Sequence, residues 1–345
     1  MVHSLPYRQH DLAGLRAVTH ALGMTEKTYD AVIIGGGAAG LSAALALGRS
    51  RRSVLVIDAG TPRNASAAGV HVFLTRDGTP PHELLELGRA EARGYGVEIR
   101  SGRAADVTGS IGSFAIRLED ATTVTGRRLL VATGVTDELP QIAGLRKRFG
   151  RDVLHCPYCH GWEVRDRRIG IVGTSARAVH QALMFRQLSS TVQLIVHDPV
   201  AEPSAEDAER LAARGITVVR GVIERVVLTD DAISAVELSD GSMVSVDALV
   251  VATRVVANDS VLAGLGLVAA PHPMGMGTQV ESAVMGATSV PGVWVAGNVA
   301  DAAAQVAVAA AAGVAAGASI NASLIEEDTL HAVETARRAD APRVR

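Results

Sequence analysis

Residues 155 to 163 read HCPYCHGWE and hold both cysteines of the 345-residue chain, Cys156 and Cys159, between His155 and His160. Two thiols at this spacing can ligate a metal, pack as an inert turn, or open and close a disulfide. A structural zinc site takes four ligands, normally two pairs, and the sequence offers no third cysteine. The two histidines stand too close along the backbone to complete a comfortable tetrahedron, so no metal is expected. Two cysteines build no disulfide framework either. Redox exchange is the favoured reading, because the thiolate is the nucleophile and a neighbouring charge lowers one thiol's pKa. His160 titrates near neutrality and can take a proton from an incoming thiol; His155 is the second candidate for that role.

That turn needs elements to hold it against an electron acceptor. Residues 29 to 60, YDAVIIGGGAAGLSAALALGRSRRSVLVIDAG, read as strand, turn, helix and strand. Gly35, Gly37 and Gly40 occupy the glycine positions of a dinucleotide fingerprint, and Ala38 and Ala39 open a helix whose N-terminus can meet a phosphate. Asp58 ends the second strand, where a carboxylate accepts hydrogen bonds from ribose hydroxyls. Residues 167 to 199, RRIGIVGTSARAVHQALMFRQLSSTVQLIVHDP, repeat the order with Gly173, Ser175 and Ala178 at the fingerprint positions. The Ser175 side chain crowds the approach of a pyrophosphate, and Asp198 repels the 2′-phosphate of NADPH. The second unit therefore reads as a damaged nicotinamide site, with NADH as the alternative that the aspartate leaves open.

Two later segments, RRLLVATG (127 to 134) and VPGVWVAGNVADAAAQVAVAAAAG (290 to 313), complete a pattern that resembles the flavoprotein disulfide reductases. Over residues 28 to 325 the chain resembles the low-molecular-weight thioredoxin reductases. The resemblance implies FAD in the first site, contacted also by Ala132, Thr133, Gly134, Gly297, Asn298, Gln305 and Val306, with Arg63 and Arg76 as further cofactor contacts. The family usually has Asp where Asn298 stands, and an acidic residue where His160 stands. CPYCHGWE (156 to 163) together with HVFLTRDG (71 to 78) looks most like a side branch, the FAD-dependent dithiol oxidases that close the disulfides of gliotoxin- and holomycin-type metabolites. For that branch the resemblance implies a small-molecule dithiol as substrate and O2 as final acceptor, giving hydrogen peroxide. Cys156 would be the outer thiol that exchanges with substrate and Cys159 the inner one facing the flavin. The alternative is an NADH-dependent reductase of a thioredoxin-like protein or a low-molecular-weight disulfide. His71 and Phe73 fall near the flavin and substrate approach, and Trp162 is expected to pack behind the cysteine turn. A homodimer is implied by the resemblance alone.

Composition agrees with this class. The chain is 48% hydrophobic with 35 glycines and only 3% aromatic residues, as in a glycine-punctuated α/β protein with an aliphatic core. Its length predicts two domains, and a net charge of −3 offers no basic surface for nucleic acid or anionic lipid. No uninterrupted apolar run reaches membrane-spanning length, and no secretory signal is read at the start, so a cytoplasmic protein is expected. The expected fold is α/β, with two Rossmann-like three-layer domains of the flavoprotein disulfide reductase type, one inserted into the other. Residues 1–27 read as an extension, 28–138 and 258–325 as the FAD domain, 139–257 as the cysteine-bearing domain, and 326–345 as a frayed polar tail.

Overall fold

The computed structural model describes residues 27–340; apart from Lys27, the extension read at residues 1–27 lies outside the described residues. Strand β1 (Thr28–Ile34), helix α1 (Ala38–Arg49) and strand β2 (Val54–Asp58) form the first unit. The two strands pair in parallel, Ile33 opposite Val56. Five parallel strands lie in the order Glu98–Ser101, β2, β1, Thr123–Val131 and Val293–Val295. The last comes from the far end of the chain, so this domain is assembled from two segments around an insert. Its strands are runs of aliphatic residues because both faces are covered: Ile33, Val56 and Leu130 pack toward α1, and Val32, Leu55 and Leu129 away from it.

The insert carries its own parallel sheet, ordered Thr217–Arg220, Val192–Val196, Ile169–Gly173, Ala248–Val251 and Val153–Leu154. Helix Arg177–Phe185 covers one face through Val179, Ala182 and Phe185. An antiparallel trio, Ile223–Thr229, Ala232–Leu238 and Met243–Ser245, covers the other. Strands Val135–Glu138 and Arg254–Ala257 carry the chain across and back, paired antiparallel. Asn258 stitches the crossing: its Nδ2 donates to Thr133 O at 3.1 Å, and its Oδ1 accepts from Thr136 Oγ1 at 2.8 Å.

The alanine-rich segment forms one helix, Val306–Asp340, packed on α1. Small residues make the approach possible, since a Cβ on Gly313 would lie 2.0 Å from Ala39 O. By length and composition alone the helix could cross a membrane; its small-residue face packs on α1. Residues 326–340, read from sequence as a frayed tail, continue this helix, and distant arginines hold the carboxylates of its first turn there. Arg52 reaches Asp328 at 2.7 Å, and buried Arg128 reaches Glu327 at 2.6 Å.

Candidate active site

The glycine turn follows from backbone geometry. Gly35 has φ +112°, and a Cβ there would sit 2.3 Å from Ala132 O, so a side chain is excluded both conformationally and sterically. A Cβ on Gly40 would lie 1.9 Å from Gly35 O; Gly40 seats α1 on the turn and does not itself face the cavity beyond. Gly37 precedes α1, and a Cβ built there meets nothing within 4 Å. The helix carries no side-chain cap and no acidic residue in its first turn, so its N-terminal amides stay free to donate to an anion.

These residues border a cavity of about 1440 Å³, larger than the roughly 300–1,000 Å³ of most small-ligand sites. Gly35, Gly37, Ala38, Ala39 and Asp58 line it from the first unit, and Ala132, Thr133 and Gly134 from the strand-ending loop. Gly297, Asn298, Gln305 and Val306 line it from the C-terminal segment. An open glycine cradle, free helix amides and a carboxylate at the end of β2 fit a dinucleotide. Asp58 is held in place: Oδ1 accepts from Gly60 N at 3.1 Å and Oδ2 from Arg89 Nη2 at 2.8 Å. Gly36 is the other quiet requirement, because a Cβ there would lie 2.5 Å from the Asp58 carboxylate.

The same cavity is lined by His155, Cys156, Cys159 and His160. Cys156 precedes a single helical turn, Pro157–His160, with proline at its first position, where no backbone N–H is needed. Gly161 ends it, since a Cβ there would press to 2.3 Å from Pro157 O. Both cysteines are free thiols, with Cys159 Sγ donating to Cys156 Sγ at 2.7 Å. That donation, helped by the amides of Cys159 and Tyr158 and by the charge of Arg63, holds Cys156 down at about 7 against its burial. Cys159, the donor, is pushed far above the ordinary thiol range. Of the reduced pair, Cys156 carries the thiolate.

The histidines differ. His155 opens partly onto the cavity yet is surrounded by protein and stacks on Phe149 at 5.9 Å. Burial first, then the Arg63 charge, pushes it down to about 4, so it stays neutral in the physiological range and accepts protons weakly. His160 is lowered by burial and opposed by Glu163; its Nε2 is buried and unpartnered. Among the described residues no group of three His, Cys, Asp or Glu side chains could hold a metal.

A model of the pyridine nucleotide-disulphide oxidoreductases matches residues 29–313. The chain belongs to that family. The thioredoxin reductase tcpT of Claviceps purpurea is 32% identical over 290 residues, 79% of this chain and 87% of that protein. A probable thioredoxin reductase of Arthroderma benhamiae is 33% identical over 189 residues, 53% of this chain; the match spans only 46% of that relative's length. The solved structure of HlmI superposes with a TM-score of 0.85 at 44% identity, covering 91% of this chain and 98% of that one. The protein is thus an oxidoreductase of the thioredoxin-reductase-like kind, and the resemblance and fold read from its sequence hold.

Within this family member the second unit has a different local chemistry. Ser175 Oγ is buried without a partner. Asp198 Oδ1 accepts from Val200 N at 2.9 Å on an exposed side chain, and His197 Nδ1 accepts from Ile223 N at 2.9 Å. Helix Arg177–Phe185 turns Arg177, His180, Gln181 and Met184 into the main cavity. Their spacing of three, four and seven residues marks one helical face, a signal in the sequence that a reading devoted to the glycine pattern passes over.

Two site expectations, those for Arg76 and Trp162, need correction. Arg76 is exposed, lies outside the cavity lining and donates to its neighbour's carbonyl, Thr75 O, at 3.0 Å. Trp162 does not pack behind the cysteines: it is 65% exposed and carries the Arg165 guanidinium 4.2 Å above its ring. Arg63 lines the cavity but is bound in a fork to Asp137 at 2.6 and 2.7 Å. Asp137 also accepts from Thr253 Oγ1 at 2.8 Å, so Arg63 acts at the crossing as the cation beside the cysteines. Asn298 faces the cavity while its Nδ2 donates to Ala304 O at 2.8 Å and Asp301 O at 3.1 Å. A carboxylate cannot make those two donations, which gives a reason for asparagine at this position.

Proposed function

We propose that the protein is an FAD-dependent dithiol oxidase that closes an intramolecular disulfide in a small molecule of the dithiolopyrrolone or epidithio kind. The observation that carries this reading is that the Cys156–Cys159 pair and the glycine cradle line one cavity, while the second unit has Ser175 at its turn with its hydroxyl buried and unpartnered. FAD, bound in the cradle, supplies the two-electron acceptor, and O2 receives the electrons as hydrogen peroxide. The chain's own work is thiol exchange. A substrate thiolate attacks Cys156 Sγ of the oxidised pair, forming a mixed disulfide and releasing Cys159. The second substrate thiol then attacks the substrate sulfur, closes the ring and expels Cys156. A thiol held at about 7 leaves readily at that step. His160, neutral through burial, takes the proton of the incoming thiol. A homodimer and a cytoplasmic setting complete the proposal.

The test is oxygen uptake with a panel of small vicinal and ring-forming dithiols, nicotinamides absent. Uptake with hydrogen peroxide formed, lost in Cys159→Ser, is the expected result. No uptake with any dithiol, alongside NADH-driven reduction of an added disulfide, would replace this reading with the reductase.

A further inference from the structure

Beside the cysteines, His71 and the carboxylates of Asp77 and Glu163 have no part in the steps above. His71 stands on the loop between Val70 and Thr79, which bridge to each other. Its ring meets the His160 ring edge to face, with centroids 6.5 Å apart. Its Nδ1 is 3.3 Å from Asp77 Oδ2, and its Nε2 is 3.4 Å from Glu163 Oε1. Both carboxylates are open to solvent, and His71 and His160 both line the cavity. His160 Nε2 is buried with no hydrogen-bond partner. A buried polar nitrogen without a partner is costly, which is grounds to look for a transient one.

The loop is strained in the way functional loops are. Val72 and Thr75 are β-branched residues with φ of 58° and 73°, a backbone region such residues avoid. Val72 is exposed and gains no core packing in return. Backbone bonds between Val70 and Gly78–Thr79 close the loop, and Asp77 braces its interior: Oδ1 accepts from Val72 N at 3.0 Å while Oδ2 stands 3.3 Å from His71 Nδ1. Asp77 and Glu163 hold the imidazole edge to face with His160.

We propose that His71 acts through His160 as a positioning residue that passes protons between the cysteine site and the solvent-facing carboxylates Asp77 and Glu163. The inference rests on the dithiol oxidase reading. Closing a dithiol to a disulfide releases two protons and two electrons, and O2 takes up two of each in becoming hydrogen peroxide. The protons leave at the sulfurs, so the enclosed side of the cavity needs an exit. The groups facing His160 are His71 and Glu163, with His155 and the two thiols on its own segment; the way outward runs through His71 and the solvent-open Glu163 and Asp77.

The holoenzyme decides, with dithiothreitol as the probe. In His71→Phe, which keeps a ring in place, kcat for oxygen uptake falls about 10- to 100-fold. KM changes little and the solvent deuterium isotope effect rises; in His71→Ala, which vacates the ring's place, added imidazole restores part of the rate. Histidine NMR gives a readout free of turnover. The His160 midpoint rises in His71→Phe, where a like charge is removed, and falls in Glu163→Gln, where an opposite charge is removed. Should His71→Phe not fold, Glu163→Gln on its exposed side chain carries the test. Wild-type kcat and isotope effect in His71→Phe, or a His160 midpoint unmoved by Glu163→Gln, overturns the inference. Failure of the wild-type protein to consume oxygen with any dithiol would instead remove the function reading, and the two NMR shifts would still decide the coupling.

Discussion

The two Rossmann-like units differ most at a single step of the turn. In the first, Gly37 opens on the cavity and α1 leaves its amides uncapped. In the second, the equivalent Ser175 buries a hydroxyl that finds no partner. At the strand ends, Asp58 and Asp198 each accept from the amide two residues on, but Asp58 alone of the two borders the cavity, braced by Arg89. The contrast lies in the turn and in which aspartate meets the cavity, not in how many partners each carboxylate has within the fold. On the proposed function, the second unit serves as a platform that holds the two sulfurs beside the first unit's cavity.

Altering each turn sharpens this contrast. Gly35→Ala has the largest expected effect, since a methyl group must displace Ala132 O from a left-handed backbone position; a loss on the order of 3 kcal/mol, read by thermal unfolding, should accompany loss of bound flavin. Next comes the sulfur pair. Alkylation of Cys156 in the reduced protein should quicken as pH rises through about 7 and then level off, because only the thiolate reacts. In Cys159→Ala the donated Sγ–H is gone and the midpoint should move up toward the ordinary thiol range. Asn298→Asp restores the residue usual in related reductases, yet here it removes two donations and sets a carboxylate against Asp301 O and Ala304 O. A cost of about 1–2 kcal/mol in stability is expected. Ser175→Gly should change stability by less than about 1 kcal/mol, the lost burial penalty offsetting the added backbone freedom. If Ser175→Gly alone conferred rapid flavin reduction by NADH, the second unit would be a blocked site rather than a platform.

The glycine turn and the Cys-x-x-Cys pair were legible because each is a local rule: φ and steric room decide the first, and spacing decides the second. The fold followed, since the strand, turn and helix order repeats visibly. Partners brought in by tertiary structure were not legible. Arg89 reaches Asp58 and Arg63 reaches Asp137 from elements far along the chain, and nothing local marks either pair. The polar stretch after residue 326 looked unsupported only because Arg52 and Arg128 lie on other elements. Trp162 misled for the opposite reason: hydrophobic bulk suggested burial, while Arg165 three residues on covers its ring at the surface. His71 stood in a segment already noted, but its pairing with His160 depends on a strained loop that spacing cannot reveal.

The central claim is that electrons enter through Cys156 and Cys159 and need no nicotinamide. Anaerobic titration of the purified flavoprotein tests it most directly. Stoichiometric dithiothreitol should bleach the flavin absorbance in the wild type and not in Cys159→Ser, with NADH and NADPH leaving the spectrum unchanged. Full bleaching by one equivalent of NADH would contradict the account.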